Sequence, residues 1–162
     1  MNGRAVLRER LLFLSDVVTR EATYLSQTQG RLFAKAFGLV EVASLPGNPD
    51  LAERIDAFVS RFGGLQDTLS GALLPRLLEA LLEPVGSVLD NVNRAERLGW
   101  LRSASDWAEL RLLRSRMIHE YVREAQELVD ALQAAHRGVA DLSAAAAAMS
   151  QRARELAQSW AE

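Results

Sequence analysis

Between Leu51 and Leu69, apolar side chains recur at Leu51, Ile55, Phe58, Val59, Phe62, Leu65 and Leu69. Steps of three and four line these residues along one face of a helix, whereas a strand would scatter them over both of its faces. The same period runs through the first segment, from Arg4 to about Phe37, at Leu7, Leu11, Leu14, Val18, Leu25 and Leu32. No stretch alternates with period two for the length of a strand, no glycine-rich loop follows a strand, and no internal repeat is visible. The pattern predicts an all-α fold, an up-down bundle of about five to six helices with short connections. Residues 1–162 form one expected domain, long enough to bury a real core.

Local signals place the breaks. In "SLPGNPD", Pro46 and Gly47 mark a turn, Asn48 suits an N-cap and Pro49 suits the first helical position. Pro75 should kink or divide the next helix, and Pro84 should end it. A short helix is expected from Ser87 to Leu98, with Gly99 just past its end. Ser103 or Ser105 then caps a helix that stops near Tyr121 or continues toward His136. Gly138 is expected to separate a last helical segment, whose alanine run from Ala144 to Ala148 should pack closely on a neighbour.

The helix over "ELRLLRSRMIHEYVRE" breaks the rule that the rest of the chain follows. With Trp107 at zero and about 100° per residue, Leu113, Met117, Leu110, Tyr121, Ile118 and Val122 fill an apolar arc from about 240° round to about 60°. Arg114 falls near 340°, inside that arc, Arg111 near 40°, and His119 near 120°, at its edge. An unpaired buried guanidinium costs several kcal/mol, so Arg114 must meet a carboxylate or face a polar opening. Both readings stay open: an ion pair with an acid of another helix, such as Asp67 or Asp90, or a functional position. His119 is open in the same way between a hydrogen-bonded surface residue and a proton-transfer group. Tyr121 is open between a buried aromatic and a functional residue.

Composition narrows the chemistry. The net charge of −2 excludes a general electrostatic grip on nucleic acid. The neighbourhood of the motif is locally basic, however, with Arg97, Arg102, Arg111, Arg114, Arg116 and Arg123 against Asp106, Glu109 and Glu120. The absence of cysteine excludes disulfides and thiolate metal sites, and two histidines are too few for a histidine-built zinc site. No metal and no cofactor are expected. No apolar run approaches the roughly 20 residues of a membrane span, and no cleavable signal pattern begins the chain, so a cytoplasmic protein is expected.

Arg114, four intervening residues, His119, one residue and Tyr121 form a combination that chance rarely supplies here, because the chain has only two tyrosines. In an all-helical chain of this length, the combination resembles the HEPN superfamily, and more closely the HepT-type toxins encoded beside a minimal nucleotidyltransferase antitoxin. The likeness extends over "RFGGLQDTL" (Arg61 to Leu69) and over Asp90 to Tyr121. One position departs from it: that family usually has asparagine after the motif arginine, where this chain has Ser115, a hydrogen-bonding side chain of shorter reach.

The resemblance implies a metal-independent endoribonuclease. RNA carries its own nucleophile, the ribose 2′-OH, so such an enzyme needs a base, an acid for the departing 5′-oxygen and a cation for the charge on phosphorus. His119 suits proton transfer and Arg114 suits the phosphate, with Ser115 as a supporting polar position and Arg111 and Arg116 as RNA contacts. The products would be a 2′,3′-cyclic phosphate and a 5′-hydroxyl. On a continuous helix Arg114 and His119 diverge by about 140°, so the expectation is a homodimer that apposes two motif helices around one cleft. The resemblance also implies an MntA-like nucleotidyltransferase partner that adenylylates Tyr121 and silences the enzyme. Two other readings compete: a non-catalytic helical partner that docks a nucleotidyltransferase, and a plain dimeric bundle in which Arg114 pairs internally.

Overall fold

The computed structural model describes residues 2–161, and helices account for most of them. The chain forms α1 (Gly3–Leu32), α2 (Leu39–Ala43), a 3-10 turn (Leu45–Gly47), α3 (Pro49–Thr68), a π-helical turn (Leu69–Leu73), α4 (Leu74–Ala80), α5 (Val88–Arg97), α6 (Ala104–Arg116) and α7 (Ala125–Ser159). Among the described residues there is no strand, as the absence of period-two alternation predicts.

Four helices make an antiparallel ring. Arg8 Nε donates to the Ala157 carbonyl near one end of α1, and Gln29 meets His136 near the other, so α1 and α7 run in opposite directions. Arg61 reaches Thr28, which sets α3 against α1. Gln66 Nε2 donates to the Trp107 carbonyl and so ties α3 to α6. α6 lies against α7. The core follows from the sequence stripes: Leu11, Leu14, Val18, Leu25 and Leu32 from α1 meet Ile55, Phe58, Phe62, Leu65 and Leu69 from the second segment. Ala145 and Ala146 of the alanine run are buried on α7, and small side chains there let α1 approach closely.

Most of the expected breaks are present. Asn48 accepts a hydrogen bond from the Leu51 amide, with Pro49 beginning α3. Ser87 caps α5 and Ser103 caps α6. Gly99, at φ 79°, follows α5, and the Trp100 amide returns to the Ala95 carbonyl as in a Schellman motif. Pro75 divides its helix by way of the π-turn that precedes it, since a proline offers no amide to the helical ladder.

Three expectations are corrected. α4 ends at Ala80, before Pro84: Glu83 N donates to the Leu78 carbonyl, closing the helix around Leu82 at φ 58°. α7 runs unbroken through Gly138. That glycine is a point of close approach and not a terminator, because a β-carbon there would collide with Leu110 of α6. The motif helix ends at Arg116, earlier than expected. Met117 caps it and is fully buried, so the chain turns where its last apolar anchor enters the core.

Candidate functional site

The end of α6 and the turn after it lie along one row of α3, formed by Asp56, Gly63 and Asp67. These residues are seven and four apart, which aligns them on a single helical face. Arg114 NH1 donates to Asp67 Oδ1 at 2.7 Å, and Arg111 NH1 reaches the same oxygen at 3.3 Å. Of the two open readings of Arg114, the ion pair with Asp67 is the arrangement in this chain. The guanidinium lies against Gly63, where a β-carbon would stand 2.6 Å from its Nε. Only the missing side chain of Gly63 makes that approach possible.

His119 is not on the helix. It sits in the turn closed by the hydrogen bond from Tyr121 N to the Ile118 carbonyl, with its side chain 17% exposed. Its Nε2 is 2.9 Å from Asp56 Oδ1 and 3.6 Å from Glu120 Oε1. With the proton on Nε2, the imidazole donates to Asp56 and keeps Nδ1 as an acceptor, a state suited to taking a proton. The ring also borders a cavity of about 400 Å³ with Val42, Leu45, Pro46 and Val122. Asp56, His119 and Glu120 hold their ligand atoms within 4.8 Å of one another and are the residues at this site that could take a metal ion.

The wheel relations expected for the far end of the motif therefore do not apply, because the helix stops first. On α3, Gly63 is seven residues and Asp67 eleven residues from Asp56, so the Arg114 contacts lie about 10 Å and about 16 Å from the His119 contact along that helix. Within a single subunit Arg114 and His119 each meet a different acid of α3. Leu110 and Met117 point into the chain's own core, so the apolar stripe is not held out for a partner. Tyr121 is 80% exposed, which corrects the reading of it as a buried aromatic. Ser115 is exposed and donates back to the Leu112 carbonyl at 3.4 Å. Arg116 turns away from α3 and shares a cavity with Glu124, Glu127 and Asp130. The structure thus unites Arg111 and Arg114 on Asp67, sets His119 further along the same row on Asp56, and leaves Ser115, Arg116 and Tyr121 apart.

The local excess of positive charge is also offset in space. Asp67 meets Arg111 and Arg114, and Asp141 meets Arg102.

Several residues at the site carry no signal of chemistry in the sequence. Gln66, in the middle of "RFGGLQD", is fully buried and pins α3 to α6. Glu21 of α1 approaches Gly64, with its Oε2 3.3 Å from where a β-carbon would stand. Burial raises the pKa of Glu21; its hydrogen bond with Thr68 lowers it and the charge of Asp67 raises it further. The glycine pair inside an apolar helical stripe is the feature that could have indicated this cluster. Comparison of the chain with family models, with curated proteins and with solved structures found no match.

Proposed function

We propose that this chain is a HEPN-type, HepT-like ribonuclease that cleaves RNA through attack of the 2′-OH and is silenced by adenylylation of Tyr121. The observation that carries the reading is the pairing of His119 with Asp56 on the same row of α3 that holds Arg114. His119 then moves the proton, and Arg114 stabilises the charge on phosphorus. Asp67 occupies one terminal nitrogen of a five-donor guanidinium, so donors remain for a phosphate oxygen. The separation of Arg114 from His119 within one subunit requires the second copy: a two-fold pair brings one subunit's arginine to the other's histidine. The exposure of Tyr121 suits enzymatic modification by a nucleotidyltransferase.

A second reading is a non-catalytic helical partner of a nucleotidyltransferase. The engagement of Arg114 with Asp67 favours it, because that arginine is already neutralised in its own chain. Incubation of the full-length protein with total RNA separates the two. Wild-type protein should release 2′,3′-cyclic phosphate ends, and His119→Ala and Arg114→Ala should each lower cleavage by about 100-fold or more. Cleavage absent from wild type, or unaffected by both substitutions, supports the non-catalytic partner.

A further inference from the structure

A second charged cavity lies on the opposite flank of α3. It encloses about 400 Å³ between the last turns of α1 and the first turns of α3, and its lining includes Thr28, Arg31, Asp50, Glu53, Arg54 and Arg61. Three arginines from two helices therefore line one cavity, and none can shed its charge. The arginines in ion pairs among the described residues are Arg76, Arg94, Arg102, Arg111, Arg114, Arg152 and Arg154. The three that line this cavity are in none of those pairs, although Asp50 and Glu53 share the same wall.

One of the three is held in place by other means, and a second has a buried donor left unpaired. Arg61 NH1 donates to Thr28 Oγ1 at 2.6 Å and to the Tyr24 carbonyl at 3.1 Å. Its Cζ lies 5.6 Å from the centre of the Tyr24 ring, so the guanidinium is oriented before any ligand arrives. Arg54 has its Nε sealed from solvent without a hydrogen-bond acceptor. The start of α3 at the same wall adds the positive end of a helix dipole. Against Asp50 and Glu53, the three arginines leave a net charge of +1. A planar carboxylate offers two acceptor oxygens, whereas a tetrahedral oxyanion presents several at once to forks arriving from different directions.

We propose that this cavity binds a phosphate group, gripped by Arg31, Arg54 and Arg61. The inference does not depend on the nuclease reading, since none of these residues touches the motif. The group could be free phosphate or part of a nucleic-acid strand. Nitrogen-15-labelled full-length protein, observed at its arginine Nε–Hε signals, is titrated with inorganic phosphate at constant ionic strength. A second titration uses a 2′-O-methyl oligoribonucleotide without a terminal phosphate, which the proposed nuclease cannot cut. Saturable shifts at Arg54 and Arg61 are expected, weakened about tenfold or more by Arg54→Gln or by the exposed-site variant Arg31→Gln, and unchanged by His119→Ala. Response to inorganic phosphate alone identifies a free-phosphate site, and response to the oligonucleotide identifies a strand contact; both support the proposal. Equal shifts with sodium chloride, no saturation by either probe, or wild-type binding by both glutamine variants overturns it.

Discussion

Arg114 rests on Gly63 because that residue leaves the surface of α3 bare, and Asp67 one turn further along fixes its direction. Both partners are partly exposed, so the pair itself contributes no more than about 1 kcal/mol to stability. Its effect is to orient the guanidinium. Gly63→Ala should displace the arginine while changing unfolding free energy by no more than about 1 kcal/mol, since alanine is the better helix former. Under the proposed function, RNA cleavage by that variant falls by about tenfold or more; denaturation and cleavage assays on the same preparation separate the two effects. Glu21, nearby, gives a pH signature. Its pKa is raised in the fold above 4.5, so the stability associated with its protonated form is fully present below pH 4.5 and is lost as pH rises through the folded value. Glu21→Gln should therefore gain thermal stability relative to wild type between about pH 4 and about pH 8, measured as the difference in Tm at each end. Asp67 was legible as a candidate partner for Arg114 because an arginine in an apolar stripe demands an acid. Asp56 was not: it lies 63 residues from His119, and nothing local links them.

At the scale of elements, what could be read in advance was what is set locally. Caps are short-range chemistry, so Asn48 could be placed and the α6 cap narrowed to Ser103 or Ser105 from neighbouring residues alone, and Gly99 announced the end of α5. Two of the three boundaries that differ from expectation depend on contacts distant in sequence. α6 stops where Met117 enters the core, and α7 continues past Gly138 because Leu110 fits against it. Leu82 adopts the left-handed geometry that Gly99 adopts after α5, yet it carries a side chain that is 93% exposed. A leucine there strains the backbone and gains little from burial. Leu82→Gly should raise unfolding free energy by about 0.5 kcal/mol, the relief of strain exceeding the added flexibility of the unfolded chain; chemical denaturation checks it.

For the whole molecule, the all-helical fold was legible because the period of the apolar residues is uniform across the chain. The site was legible only in part. Wheel angles assume a continuous helix, and the turn at Met117 moves His119 and Tyr121 out of the frame in which they were placed. The folded chain presents an arginine and a histidine on one row, each attached to its own acid, the two acids about three turns apart on α3. Under the proposed function that arrangement is incomplete within one subunit. The proposed function has two copies related by a two-fold axis complete it, and the dimer is the claim on which that proposed chemistry rests. Mixing subunits tests it most directly: Arg114→Ala and His119→Ala proteins are each assayed alone on total RNA, then unfolded together, refolded and assayed again. Wild-type cleavage, inactive single variants and recovered activity in the mixture are the predicted result, because a mixed dimer retains one intact arginine–histidine pair. A mixture as inactive as its components, beside an active wild type, contradicts the shared site.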